Sequence, residues 1–112
     1  MINITRIMNP VDRVEDLREP LFVGEAYAHT FTIMPMKDVS FAEANTSARF
    51  IRSDGQEESP LSMVDDETNN IVVILTPECY AVEGMFSMYV FAEMASETVC
   101  VYSCRGTVLP TT

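Results

Sequence analysis

The chain has 112 residues, 47% of them apolar and 21% charged, with seven Lys and Arg against 17 Asp and Glu. That length suits one domain, which folds to expose roughly 6,000 Å² of the ~18,000 Å² open in the extended chain, enough burial without metal or disulfide staples. The net charge of −10 excludes the basic face that nucleic acid requires and disfavours an anionic membrane surface.

Apolar residues recur with period two almost throughout, the signature of half-buried strands. Ile2 to Met8 is the first. Asn9 to Phe22 breaks the pattern: it is dense in both charge signs and bracketed by Pro10 and Pro20. Val11, Val14 and Leu17 lie three apart, so this stretch is either one short helix or an extended arm. Ala26 to Met36 alternates, with Tyr27, His29, Phe31 and Ile33 on one face and Ala28, Thr30, Thr32 and Met34 on the other. Thr46 to Arg52 repeats this, with Ala48, Phe50 and Arg52 opposite Arg49 and Ile51, and Ser53-Asp54-Gly55-Gln56 supplies a tight turn. Ser59 to Val64 returns, Asp65 to Asn70 turns, and Ile71 to Thr76 is a buried β-branched strand. Pro77 to Gly84 is a corner. Met85 to Glu93 and Thr98 to Leu109 are two long strands joined at Ala95-Ser96-Glu97. About seven strands at this spacing predict an all-β fold, an antiparallel sandwich or small barrel. Residues 1–22 form its N-terminal strand and charged arm, and 23–112 the sandwich, as one domain overall.

The longest aliphatic run, Ile71 to Leu75, has five residues, whereas a membrane-spanning helix needs about 20. Met1 to Arg6 lacks the pattern of a cleaved leader. The chain therefore reads as soluble and unprocessed. Cys100 and Cys104, four apart in one strand, should have Cα atoms ~13 Å apart, too far for a disulfide. Three cysteines with one histidine do not make a zinc site, so the thiols are expected to be packed or idle.

Catalysis is not expected. His29, the sole histidine, has no evident orienting carboxylate or nucleophile and reads as a half-buried strand residue. Four scattered glycines form no phosphate loop. Asp54, Glu57, Glu58, Asp65, Asp66 and Glu67 lack the spacing of an EF-hand and read as solvated turns. No cofactor or metal is expected. Tyr27, Tyr80, Tyr89 and Tyr102 leave a carbohydrate-binding face as one option, which fold alone does not imply. The strand Met85 to Glu93 is apolar on both faces, so Tyr89 and Phe91 either sit singly at the surface or meet a neighbouring subunit.

From Arg49-Phe50-Ile51-Arg52-Ser53-Asp54-Gly55 through Ile71 to Leu75, Glu78-Cys79-Tyr80-Ala81-Val82-Glu83-Gly84-Met85-Phe86 and Gly106-Thr107-Val108, the chain resembles small immunoglobulin-like domains of tailed bacteriophages. These are the domains found at the N-terminus of baseplate upper proteins and in head-fibre or accessory virion proteins. Asn9 to Arg18 and Pro20 to Ala26 carry the likeness too. It implies an immunoglobulin-like β-sandwich in a non-enzymatic virion protein that self-associates on a symmetric lattice. The favoured expectation is a capsid-surface accessory or decoration protein docked on the major capsid protein. A baseplate or tail-fibre attachment module is the alternative. Candidate docking residues are Val11, Arg13, Val14, Leu17, Arg18 and Phe22 in the arm, with Tyr89 and Phe91 on the two-faced strand. Tyr80 and Gly84 form a structural corner, where the glycine permits the bend and the tyrosine buries its ring while its hydroxyl reaches a backbone partner.

Overall fold

A computed structural model describes residues 1–9 and 13–111. The strands, in chain order, are β1 (Ile2–Ile7), β2 (Glu15–Asp16), β3 (Leu21–Phe22), β4 (His29–Met34), β5 (Asn45–Ile51), β6 (Glu57–Glu58), β7 (Leu61–Val64), β8 (Ile71–Ile74), β9 (Gly84–Met94) and β10 (Glu97–Leu109). A 3-10 turn, Pro77–Tyr80, lies between β8 and β9. The strands form two sheets stacked as a sandwich. One has the order β1-β4-β8-β7, and the other β2-β10-β9-β5-β6 with β3 also on β10.

The alternation in the sequence sets which side chains enter the core. Ile4, Phe31 and Val73 share one row across the first sheet and are fully buried. Ala48, Phe50, Phe86, Met88, Val90 and Tyr102 meet them from the second. Phe50 and Phe86 stack with ring centroids 4.6 Å apart, an arrangement that adds to their area burial. His29 is 1% exposed, fully inside rather than half-buried, because it pairs with Tyr80.

The expectation of an all-β sandwich holds, but the sheets are mixed rather than antiparallel. β1 runs parallel to β4, and β2 and β3 run parallel to β10. A parallel pair needs a long crossover, and the stretch between Ile7 and His29 is that crossover. It leaves the first sheet at β1 and follows the edge of β10 before returning at β4. Along the way Asn9 N–H donates to Val101 C=O at 2.9 Å, Leu17 N–H to Arg105 C=O at 2.8 Å and Val23 N–H to Leu109 C=O at 2.9 Å.

Of the two expectations for this segment, a short helix or an extended arm, residues 13–22 follow the extended one, laid along β10. Its backbone groups are satisfied by the β10 edge, and Leu17 and Leu21 are in the core. Residues 1–9 and 13–22 contribute to both sheets, β1 to the first and β2 and β3 to the second. β4 is shorter than the alternation over Ala26 to Met36 suggests: Tyr27 has φ +53°, a left-handed conformation that ends the strand on its N-terminal side.

The β9–β10 hairpin turns on two residues, since Met94 pairs with Glu97. Ala95 and Ser96 both have positive φ, 50° and 66°, as a two-residue turn of this hand requires. Further along, Cys100 pairs with Phe91 but Tyr102 with Val90, so the ladder bulges at Val101. The bulge shifts the inward parity, bringing Val101 and Tyr102 both into the core. At the corner, Gly84 has φ +120°, and a Cβ there would lie 2.6 Å from Cβ of Ser53. Only glycine fits that approach.

Candidate interaction surfaces

Two of the arm's carboxylates, Glu15 and Glu19, turn toward β1. Arg6 on β1 spans the gap between the sheets, its Nε 2.7 Å from Glu15 Oε2 and its Nη2 3.1 Å from Glu19 Oε2. Tyr102 Oη donates to Glu15 Oε1 from below. The hydrogen bond that Arg6 donates to Glu15 raises the Arg6 pKa, and burial raises that of Tyr102. The network closes the open side of the sandwich, so these carboxylates are engaged within the fold.

The expected docking residues therefore divide. Leu17 is buried, packed where a Cβ on Gly106 would touch its own Cβ at 3.3 Å, so it is a core residue and offers no docking surface. Val11 lies outside the described residues. Arg13 and Arg18 are exposed, and the Arg13 carbonyl accepts from Ser103 Oγ at 3.1 Å. Val14 and Phe22 are about 40% exposed but are separated by the buried Leu17 and Leu21.

Tyr89 and Phe91 do lie on the outer face of the second sheet, both half-buried. In register with them are Arg49 and Ser47 on β5. Two ion pairs flank this patch, Arg49 with Glu57 and Arg105 with Asp16, so the face is mixed in character. Tyr80 and Tyr102 are in the core, which removes two of the four tyrosines from any sugar-stacking face. The acidic turns are partly engaged as well: Arg52 approaches both Asp54 and Glu58. Among the described residues no group of three or more His, Cys, Asp or Glu side chains is arranged to hold a metal, and all three cysteines are free thiols.

The outer face of the first sheet is different. Pairing register sets its rows: Leu61–Ile74–Thr30–Asn3, then Met63–Val72–Thr32–Thr5, then Met34 beside Ile7. These ten side chains include no charge, on a chain carrying 24 charged Lys, Arg, Asp and Glu side chains. Leu61, Met63 and Ile7 are 49%, 52% and 59% exposed. Carboxylates gather at one end, in the β7–β8 turn Asp65-Asp66-Glu67. A neutral, largely apolar sheet face on so acidic a chain is a candidate contact surface.

Sequence reading nominated the other sheet and passed over this one. The signal was present in the polar-free positions 61, 63, 72 and 74. Ile71 to Leu75 alone, however, reads as a strand buried on both faces, and only the pairing register exposes one of them.

The comparisons with known proteins agree with this architecture. The chain is similar in structure to the N-terminal domain of phage TP901-1 ORF48, with a TM-score of 0.59 and 9% identity over the whole of both chains. At that identity the likeness is one of fold. No family model matches the sequence, and no curated protein does.

Proposed function

We propose that this chain is a non-enzymatic structural protein of a tailed-phage particle, a docking module of the tail's baseplate. The observation that carries the docking role is the charge-free outer face of the β1-β4-β8-β7 sheet. Two further lines support the phage setting: the sequence resemblance to N-terminal domains of baseplate upper proteins, and the fold shared over its full length with an N-terminal domain of a phage protein.

The capsid-surface reading has a charged arm, together with a mainly apolar sheet face, docking on a repeating lattice of major capsid protein. Residues 13–22 are laid along β10 with Leu17 and Leu21 buried, which leaves less of that arm to dock and favours the baseplate reading. A partner surface suited to this face has an apolar centre with Lys or Arg toward the rim, facing the Asp65-Asp66-Glu67 turn.

Gold-conjugated antibody against the chain, imaged on intact and disrupted particles, tests the reading. Label at the tail tip is expected. Label over the head would return the capsid-decoration role to first place, and absence from both preparations would overturn the virion assignment.

A further inference from the structure

The edges of the two sheets are not equally protected. β6, β2 and β3 have two residues each, and Arg18, Glu19 and Pro20 interrupt the last two. β7 is a four-residue strand that follows Pro60 and lies against β5, where Thr46 Oγ1 donates to Ser62 Oγ at 3.1 Å. β1 is six residues long, with no proline, glycine or bulge. Short edges, prolines and bulges are how sheets avoid pairing with another chain, and β1 uses none of them. Its one charge, Arg6, is turned toward Glu15 and Glu19.

The ladder with β4 fixes which backbone groups face outward. Ile2 N–H donates to Ala28 C=O and Met8 N–H to Met34 C=O, both at 2.8 Å, so even-numbered residues bond inward. Asn3, Thr5 and Ile7 then direct N–H and C=O to the open edge. Among the described residues the one partner recorded there is Arg6 Nη1, which donates to Thr5 C=O at 3.0 Å, leaving that oxygen a second lone pair. The side chains of the same three residues lie on the charge-free face.

We propose that β1 pairs antiparallel with β1 of a second copy about a two-fold axis, joining the two four-stranded sheets into one. The register follows from the outward groups: Thr5 opposite Thr5 of the second copy, and Asn3 opposite Ile7. Each such pair exchanges two bonds, about six in all, and a Thr–Thr pair on one face is favourable. Charge decides for a second copy. Residues 1–9 contain no Asp or Glu, and the carboxylates that reach β1, Glu15 and Glu19, are paired with Arg6, so two acidic chains meet here with little carboxylate repulsion. The pairing also doubles the neutral face, since both copies present it on the same side of the joined sheet.

The test is sedimentation velocity on the full chain over roughly a hundredfold range of concentration. It is run in about 0.05 M and about 0.5 M NaCl, where the screening length falls from about 14 Å to about 4 Å. A concentration-dependent dimer that tightens with salt is expected, because screening relieves repulsion between two chains of charge −10. Thr5→Pro removes an outward N–H without touching the β4 ladder and should weaken the dimer tenfold or more. Thr5→Lys sets two ammonium groups across the axis and should do the same, and it decides the matter where the proline variant loses its strand circular-dichroism signal. A monomer throughout, or a dimer that survives both folded variants, overturns the proposal.

Discussion

Tyr80 and His29 are joined twice in the core. The tyrosine hydroxyl accepts the backbone N–H of His29 at 3.1 Å and lies 3.0 Å from its Nδ1, tying the corner after β8 to the first residue of β4. The backbone N–H can only donate, so the hydroxyl accepts there and its own proton is free for Nδ1 of a neutral imidazole. Burial pushes the Tyr80 pKa up to about 12, so the proton stays in place throughout the neutral range.

Tyr80→Phe keeps the ring but leaves a buried N–H and a ring nitrogen without a partner. A loss of about 2 kcal/mol is expected, read from urea unfolding with an unchanged slope. A loss below ~0.5 kcal/mol would show that the hydroxyl holds nothing together.

The same pair gives stability a pH dependence. Burial lowers the His29 pKa from its ordinary value, against weaker upward pulls from Glu25, Glu19 and the Pro20 carbonyl. Among the described residues Nε2 is buried with no hydrogen-bond partner, so a second ring proton is poorly satisfied there. A histidine depressed in the folded state contributes stability that is complete above its unfolded pKa, near 6.5, and is lost as pH falls toward the folded value. The loss is at most about 1.4 kcal/mol per pH unit. Denaturation midpoints should be flat from about pH 7 to 8 and decline below about 6.5. In His29→Gln that particular decline should vanish; an identical slope in the variant would assign it to other groups.

The hairpin turn is built from residues ill-suited to it. Ala95 and Ser96 occupy left-handed backbone that Asn and Gly adopt at lower cost. Ala95→Asn with Ser96→Gly should raise stability by about 1 kcal/mol, seen as a higher melting temperature. No gain would mean that the turn relaxes in solution.

The crossover from β1 to β4 is structural, so its removal should unfold the domain. Deleting residues 1–20 takes away β1, Ile4 and Leu17 and uncovers the β10 edge. The truncated chain should lack dispersed amide resonances. Leu17→Ala, a milder change, should cost about 2–4 kcal/mol. A folded, stable truncation would restore the picture of a detachable arm.

Most strands were legible because inward and outward residues alternate, as in Phe31 and Ile33 against Thr30 and Thr32. The corner was legible too, because Tyr80 and Gly84 combine a buried polar tip with a permissive backbone. The course of residues 13–22 was not. Its charges, prolines and three-residue spacing suit a helix as well as an arm, and only pairing with β10, some ninety residues away, decides between them. The parallel pairing of β1 with β4 is equally non-local. The neutral face was hidden for a related reason: Leu61, Met63, Val72 and Ile74 come from two short strands, and no single segment shows that their outer sides adjoin Thr30, Thr32 and Met34.

The most direct test of the docking account is assembly with an altered face. Leu61→Glu with Met63→Glu places two carboxylates on exposed positions of β7 and should change stability by no more than about 1 kcal/mol. Expressed in place of the natural chain during phage assembly, the folded double variant should be missing from purified particles that contain the natural chain. Incorporation at the natural level would contradict docking through this face.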